Sequence, residues 1–550
     1  MKKVLYVHGG AEFHPSQAEG DLLATLLAAD GRFSLDMTTD LDAFVSLPGS
    51  GYSVVVINTT RGPDDLTPER EKGLLAFVQG GGGLVGVHAA AGSFRNSRAY
   101  IEMLGCEFLY HPEFHEFKVS IVNKDHYITS RMPDYTIADE MYHLQGPRPE
   151  EVTLLAQTPW QGKQMPMMYV KKHGQGRVAY LAHGHDLRAW RNPEFQKLLI
   201  RAIAWGAGAE KPTRKIRCGL LGYGPAFSMG KTHANLINAT EGMEATAVCD
   251  VDPSRLEAAR RELPGLRGYF TDLNDMLALP EVDLVVNILP HNLHAPTTLK
   301  CLEAGKHVIV EKPFCLTVAE ADAMIGKARE KGLMLSVFHN RRWDDDYLVI
   351  RDLIGRGLIG DAFHVEAFIG DYAHPGFWWR SEKTTSGGIL YDWGAHFIDW
   401  ILNLVPAKVT QVWGDLQKRV WYSVTNEDHG QVCLRFENGV TADFMISHIA
   451  ASKRPKWRIL GTKGSIELDW GQQEINLVSV ASGIRQDSRV KIAARAPFGS
   501  EYYRNVADHL LMGEALAVKP EEARRVIAVI EAAQRSAAEG VSVALPPGCE

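Results

Sequence analysis

The chain has 550 residues, 45% hydrophobic and 23% charged, which is globular usage and too much chain for one core; at about 150 residues per domain it divides into three or four. With 59 basic and 66 acidic residues the net charge is −7 and no basic run stands out, which excludes a nucleic-acid footprint. No apolar run reaches the ~18 residues of a membrane span. The opening MKKVLYVH holds only five apolar residues, too few for a signal-peptide core. Seven cysteines, odd in number and never spaced C-x-x-C, fit a reducing cytoplasm without a disulfide frame. A soluble, cytoplasmic, multidomain protein is expected.

From residue 2 to about 208, short apolar runs alternate with helical stretches. KVLYV, VVVIN (54–58), GLVGVH (83–88) and RVAYLAHG (177–184) read as buried strands, with EGDLLATLLAAD and PEREKGLLAFVQ as helices between them. The alternation predicts a parallel sheet covered on both faces. GGGLVGVHAA (81–90) has the strand-to-turn shape of a nucleophile elbow, but His88 stands where Ser or Cys would. That disfavours esterase and amidotransferase chemistry. Ten of the 21 histidines lie in the first 210 residues, several at strand ends, and no two have a ligand spacing on a helix. His14, His88 and His185 follow three different strands, and residues in such positions converge at the carboxyl edge of a parallel sheet. With Asp139 and Glu140 on a nearby loop they are expected to line one polar pocket, either an acid–base set or a divalent metal site.

GAGAEKPTRK (206–215) breaks the pattern, with a linker at 209–215. IRCGLLGYG (216–224) restarts it, and EATAVCD (244–250), DLVVNIL (283–289), HVIVEK (307–312) and MLSVFH carry it to about 340. Gly222 and Gly224, flanking Tyr223, permit the tight turn and close backbone approach that a pyrophosphate at a helix N-terminus needs. Phe227 takes the third glycine's place and Gly230 is the next glycine, so an expanded turn is expected. Asp250 ends the second strand, where a carboxylate accepts from ribose hydroxyls and repels a 2′-phosphate, favouring NAD(H) over NADP(H). Lys312 emerges with Glu311 at the carboxyl end of HVIV, the edge where ligands bind such sheets.

Beyond about 345, runs such as FHVEAFIG, KVTQVWGDL, GQVCLRF, VTADFMISH and WRILGTKGSIELDW read as antiparallel strands. A helix is expected over 386–404, and EEARRVIAVIEAAQRSA supplies a late amphipathic one. Asp392, His396 and Asp399 stand at i, i+4 and i+7 of the first, on one face. Asp392 would then orient the His396 imidazole as it takes a hydroxyl proton, with Asp399 in a supporting role.

These motifs resemble, in order and spacing, the glucose-fructose oxidoreductase / inositol dehydrogenase / MocA (Gfo/Idh/MocA) family over roughly 215–545. The glycine turn, Asp250, LPHNLH (289–294), EAGKHV (303–308), EKP (311–313), NRR (340–342), WR (379–380) and SGGxLxDxGxHxxD (386–399) carry the resemblance. It implies a Rossmann NAD-binding domain at 216–340 and an α+β open-sheet domain at 341–550 that supports homodimers or homotetramers. It also implies that Lys312, Asp392 and His396 carry the chemistry. By the same resemblance Gly222, Tyr223, Gly224, Asp250, Leu289, Pro290, Asn292, His294, Glu311, Lys312, Asn340, Trp379 and Arg380 line the cofactor.

Residues 1–208 resemble the trehalose-utilisation (ThuA-like) domain, similar in its α/β fold to flavodoxin and class I amidotransferase domains but lacking the amidotransferase cysteine. VHGG…FH, GGGLVGVHAA, HP (111–112), IADEMYH (137–143), GQGRVAYLAHGHD (174–186) and AIAWGAG carry it. The expected activity is NAD-dependent oxidation of a sugar or polyol hydroxyl, C3 of a glycoside being one such position, fused to a carbohydrate-processing domain. Two alternatives stand beside it. One is redox-neutral glycoside cleavage by oxidation, elimination and re-reduction; the other is a dehydrogenase whose first 208 residues only bind sugar. Trp378 and residues 421–429 are expected to face the small-molecule sugar or glycoside.

Overall fold

The computed structural model describes residues 1–493, 499–545 and 548. The chain forms two compact units, Met1–Thr213 with Met512–Ala515, and Arg214–Leu511 with Leu516–Glu550. Residues 209–215 have no regular structure. Among the described residues no helix is long and apolar enough to cross a membrane. Six cysteines are free thiols, and Cys549 lies outside the described residues.

In the first unit the solid apolar runs become the sheet's centre. Strands Phe33–Thr38, Lys2–Val7, Tyr52–Ile57, Gly83–Val87 and Gly176–Leu181 lie side by side in that order, all parallel, as in flavodoxin-like folds. The sheet is not parallel throughout, contrary to the expectation. Lys163–His173, Thr153–Trp160, His115–Ile121 and Tyr135–Asp139 extend it antiparallel to nine strands. The two outermost, His115–Ile121 and Tyr135–Asp139, alternate between buried and less buried positions, the signature of strands with one wet face and a weaker signal than a continuous apolar run. Helix Pro193–Gly206 shows how the covering helices are set: Asn192 Oδ1 accepts from the Glu194 and Phe195 N–H groups, and Pro193 opens the first turn.

The second unit holds two sheets. Gly268–Phe270, Met243–Cys249, Ile216–Leu221, Leu284–Asn287, His307–Val310 and Leu335–Val337 form a six-stranded parallel sheet in that order, the 3-2-1-4-5-6 arrangement of dinucleotide-binding folds. The eight-stranded second sheet is antiparallel, as its alternation suggests, except for one pair, Ala362–Gly370 with Thr441–Ser447, which runs parallel. Helices Trp393–Leu404 and Pro520–Glu539 pack on one face of it. Gly414 lets the last helix approach, because a Cβ there would meet the Ala533 carbonyl oxygen at 2.1 Å. A single hydrophobic core runs through both sheets, from Ile216 to Leu545. The C-terminal helices also return to the dinucleotide sheet, where Tyr502 Oη donates to Ser336 Oγ at 2.9 Å.

The helix expected over 386–404 is broken. Gly387 and Gly388 adopt positive φ (+89° and +117°), so a short turn (Lys383–Ser386), a 3₁₀ turn (Ile389–Tyr391) and a helix (Trp393–Leu404) replace one rod. Inside that last helix, Asp399 takes Arg342 on both oxygens, at 2.5 and 2.8 Å, with both side chains nearly fully buried. Removing Asp399 would leave a buried guanidinium with Glu522, at 2.6 Å, as its remaining ion-pair partner. Asp399→Ala is expected to cost about 3–5 kcal/mol, read as a lower urea midpoint at unchanged m value.

Candidate functional sites

The dinucleotide-type cleft is built from residues that follow parallel strands. Gly222 (φ +103°) turns the chain after Ile216–Leu221, and nothing lies within 4 Å of where a Gly224 Cβ would stand, leaving open space above the turn. The turn is expanded: a 3₁₀ segment, Ala226–Ser228, precedes helix Met229–Ala239. Asp250 follows the neighbouring strand, and its carboxylate accepts from Tyr223 N–H at 2.7 Å and Asp252 N–H at 2.9 Å. Leu289, Pro290 and the exposed Asn292 follow Leu284–Asn287, Glu311 and Lys312 follow His307–Val310, and Asn340 follows Leu335–Val337. Asn340 is buried with its Nδ2 unpaired.

Lys312 Nζ and Arg380 Nη1 each donate to Asp392 Oδ1 at 2.7 Å. Burial works to raise the Asp392 pKa, but the Lys312 and Arg380 cations outweigh it and hold the carboxyl well below its ordinary range. Arg380 is caged by aromatic rings, 4.9 Å from Trp379, 5.4 Å from Trp378 and 5.3 Å from Phe227 of the expanded turn. His396 sits in the first turn of the following helix, buried. Burial first, then the Lys312, Arg341, His339 and Arg380 charges, push its pKa well below the ordinary value, so the imidazole is neutral.

Three expectations need correction. Asp392 does not share a helical face with His396: it precedes the helix in a non-helical conformation, and its hydrogen-bond partners are Lys312 and Arg380. His294, expected to line the cofactor, faces the interior. It is fully buried, its ring nitrogens set against the Pro313 and Leu289 carbonyl oxygens at 2.7 and 2.8 Å, and so braces two cleft loops. Glu311 also turns inward, to His233 Nε2 at 3.0 Å and the Lys312 N–H at 2.9 Å, and His233 continues to Tyr503 Oη at 2.7 Å. Sequence reasoning missed His291, whose Nδ1 lies 2.8 Å from the Ser386 carbonyl oxygen, and His339. Both lie in or beside motifs already singled out, LPHNLH and NRR, but their partners are distant in the chain.

In the first unit the structure brings His14, His88 and His185 together, their ring centroids 4.8–5.4 Å apart. His88 opens a 3₁₀ turn directly after Gly83–Val87 with φ +38°, the strained elbow conformation. Glu140 Oε2 lies 3.1 Å from His185 Nδ1 and 3.6 Å from His88 Nε2, and His111, not singled out for this pocket, reaches it at 3.5 Å. Asp139 does not enter the pocket: its oxygens accept from the backbone N–H groups of Gly184, His185 and Glu140. Strand Tyr135–Asp139 lies at the far edge of the nine, yet meets the loop after Gly176–Leu181, so the antiparallel half of the sheet curls back over its carboxyl edge. Burial, then His88 and His185, push the His14 pKa down to about 3.

Comparison with known proteins matches the trehalose-utilisation (ThuA) model at residues 3–206, the oxidoreductase-family NAD-binding Rossmann model at 216–339 and the GFO/IDH/MocA C-terminal model at 347–467. A scyllo-inositol 2-dehydrogenase (NADP+) of Bacillus subtilis is 29% identical over 60% of this chain and 96% of its own length. The scyllo-inositol 2-dehydrogenase (NAD+) of the same organism is 30% identical over 46% of this chain and 73% of its own. The crystal structure of an NAD-binding protein from Listeria innocua is 29% identical, covers 61% of this chain and 98% of its own, and superposes with a TM-score of 0.55.

The buried histidines fix the sign of a pH dependence. His291, His339 and His396 all have lowered pKa values, burial being the largest cause. The unfolded chain therefore takes up protons below pH ~6.5 that the folded chain refuses, and stability present above that value is lost as pH falls toward the folded pKa values. Asp392, also lowered, adds a further loss only below about pH 3.8. Urea midpoints at pH 7.5 and 5.5 should differ, with up to about 1.4 kcal/mol lost per histidine per pH unit below 6.5.

Proposed function

Because this chain belongs to the Gfo/Idh/MocA oxidoreductase family and carries a trehalose-utilisation domain ahead of it, we propose that its second unit is an NAD-dependent dehydrogenase acting on a secondary hydroxyl of a sugar or polyol. The observation that carries this reading is the Lys312–Asp392–Arg380 cluster beside a neutral His396, at the carboxyl edge that also holds the open glycine turn. The residues fit a dinucleotide: the open space above Gly224 leaves room for a pyrophosphate, and Asp250 waits at the ribose position. When bound, the nicotinamide supplies a two-electron acceptor for the carbinol C–H.

The chain's own residues handle the proton. The neutral His396 imidazole takes it from the substrate hydroxyl through a free ring nitrogen. The Lys312 ammonium stabilises the negative charge that develops on that oxygen, and Asp392 holds the ammonium in place. NAD(H) is preferred over NADP(H), because the Asp250 carboxylate, fixed by two backbone N–H groups, repels a 2′-phosphate. The sheet face opposite the helices, with Trp413, Cys433 and Met445 among polar neighbours, is the surface for self-association, which sedimentation velocity measures. The histidine pocket of the first unit favours a second reading, in which the oxidised sugar undergoes elimination and re-reduction. Cleavage of a disaccharide by a preparation shown to be NAD-free would exclude it.

Lys312→Ala and His396→Ala are each expected to lower kcat by ~10²–10⁴-fold, with NAD binding by calorimetry nearly unchanged. Asp392→Asn, which weakens the placement of Lys312 without removing either group, should cost less. Asp250→Ser keeps an acceptor for the Tyr223 N–H and removes the charge. Its ratio of kcat/KM for NADP+ to that for NAD+ should rise at least tenfold, and equal wild-type ratios would contradict the cofactor assignment.

A further inference from the structure

We propose that His14, His88, His185 and Glu140 form a mononuclear site for a divalent first-row transition ion in the first unit. One donor atom from each lies within 4.8 Å of every other. Metal–ligand bonds of ~2.0–2.2 Å put tetrahedral donors about 3.3–3.6 Å apart, so the widest pair closes by roughly an ångström, within reach of small side-chain rotations, when an ion enters. The proposal is independent of the dehydrogenase reading, since none of the four belongs to the dinucleotide cleft.

The strongest support is what the buried nitrogens lack. His14 and His88 are 7% and 0% exposed, and the Nε2 atom of each has no hydrogen-bond partner. A buried polar atom left unmade costs ~1–3 kcal/mol, and here two face one point beside a carboxylate. Their other nitrogens are spoken for. His88 Nδ1 lies 2.9 Å from the Ala182 carbonyl oxygen, which accepts only if Nδ1 carries the proton, leaving the Nε2 lone pair aimed at the centre. His14 Nδ1 lies 2.6 Å from Thr60 Oγ1, a hydroxyl that can accept from Nδ1–H and so is compatible with a free Nε2 lone pair. Asp139 sets the backbone of both remaining donors through the Glu140 and His185 N–H groups. Outer partners that fix ring orientation in this way are the usual companions of a metal shell.

The donor set selects the ion. Three imidazole nitrogens and one carboxylate oxygen suit Zn²⁺, Mn²⁺, Fe²⁺, Co²⁺ or Ni²⁺, whereas Mg²⁺ and Ca²⁺ demand oxygen shells. Two of the donors, His185 and Glu140, are each 15% exposed, so one side of the centre is open to water or a substrate oxygen, as in sites that act as Lewis acids.

The test uses the full-length chain, stripped with a chelator and dialysed. Calorimetry with Zn²⁺ should give one ion per chain, and Co²⁺ should produce visible d–d absorption that Zn²⁺ abolishes. His88→Ala and Glu140→Gln should each weaken Zn²⁺ binding at least 100-fold, while Asp139→Asn, acting through backbone positions, should weaken it ~10–100-fold. Mg²⁺ at millimolar concentration should not compete. If a variant fails to fold, the wild-type stoichiometry and Co²⁺ spectrum decide alone. Fewer than about 0.1 Zn²⁺ per wild-type chain, or unchanged affinity in folded His88→Ala and Glu140→Gln, overturns the proposal and leaves an acid–base cluster.

Discussion

Asp392 gathers two cations onto a single carboxylate oxygen, Lys312 from the end of a dinucleotide-sheet strand and Arg380 from a loop of the second sheet's domain. Two cations brought this close repel strongly unless an anion sits between them, and the repulsion grows as water is excluded. The rest of the cleft follows from that arrangement. Arg380 lies within the ring cage of Phe227, Trp378 and Trp379, which ties the expanded turn to the loop that carries the two tryptophans. Lys312 has its main chain anchored by Glu311, and Glu311 in turn by His233 and Tyr503. Burial first, and the same positive field after it, keep His396 without a proton.

The first unit gathers its histidines around one carboxylate, Glu140, and braces two of them with uncharged partners. Its histidines come from three loops and stay close because carbonyl and hydroxyl oxygens hold their outward nitrogens. Glu140 reaches them only because the sheet curls, carrying the last antiparallel strand back to the carboxyl edge. Asp139 ends the strand and braces the backbone, while Glu140, the first residue beyond it, faces the imidazoles.

How much of this could be read from the chain depended on the distance over which each signal acts. The glycine turn, Asp250 and Lys312 are local: each follows a short apolar run, and a parallel sheet delivers all such positions to one edge. The convergence of His14, His88 and His185 follows from the same rule. What escaped were pairings set by topology. Nothing near Arg342 announces Asp399, and nothing in LPHNLH announces the Ser386 carbonyl. Helical periodicity over 386–404 was misleading because Gly387 and Gly388 carry no side chain to register in an apolar pattern, yet their backbone breaks the rod. The outer two antiparallel strands of the first sheet escaped for the opposite reason, since strands with a wet face dilute the apolar run that marks a strand.

The continuous core of the second unit bears on how such chains arise. Dinucleotide sheet and open sheet share one apolar interior, and the last helices close over both. Cutting between them would expose to water the apolar surface that each buries against the other. The first 213 residues hold their own sheet and covering helices. The stretch without regular structure, 209–215, is therefore a place where the chain can be joined or cut without dividing a sheet, whereas a cut within 216–545 leaves fragments with half an interior.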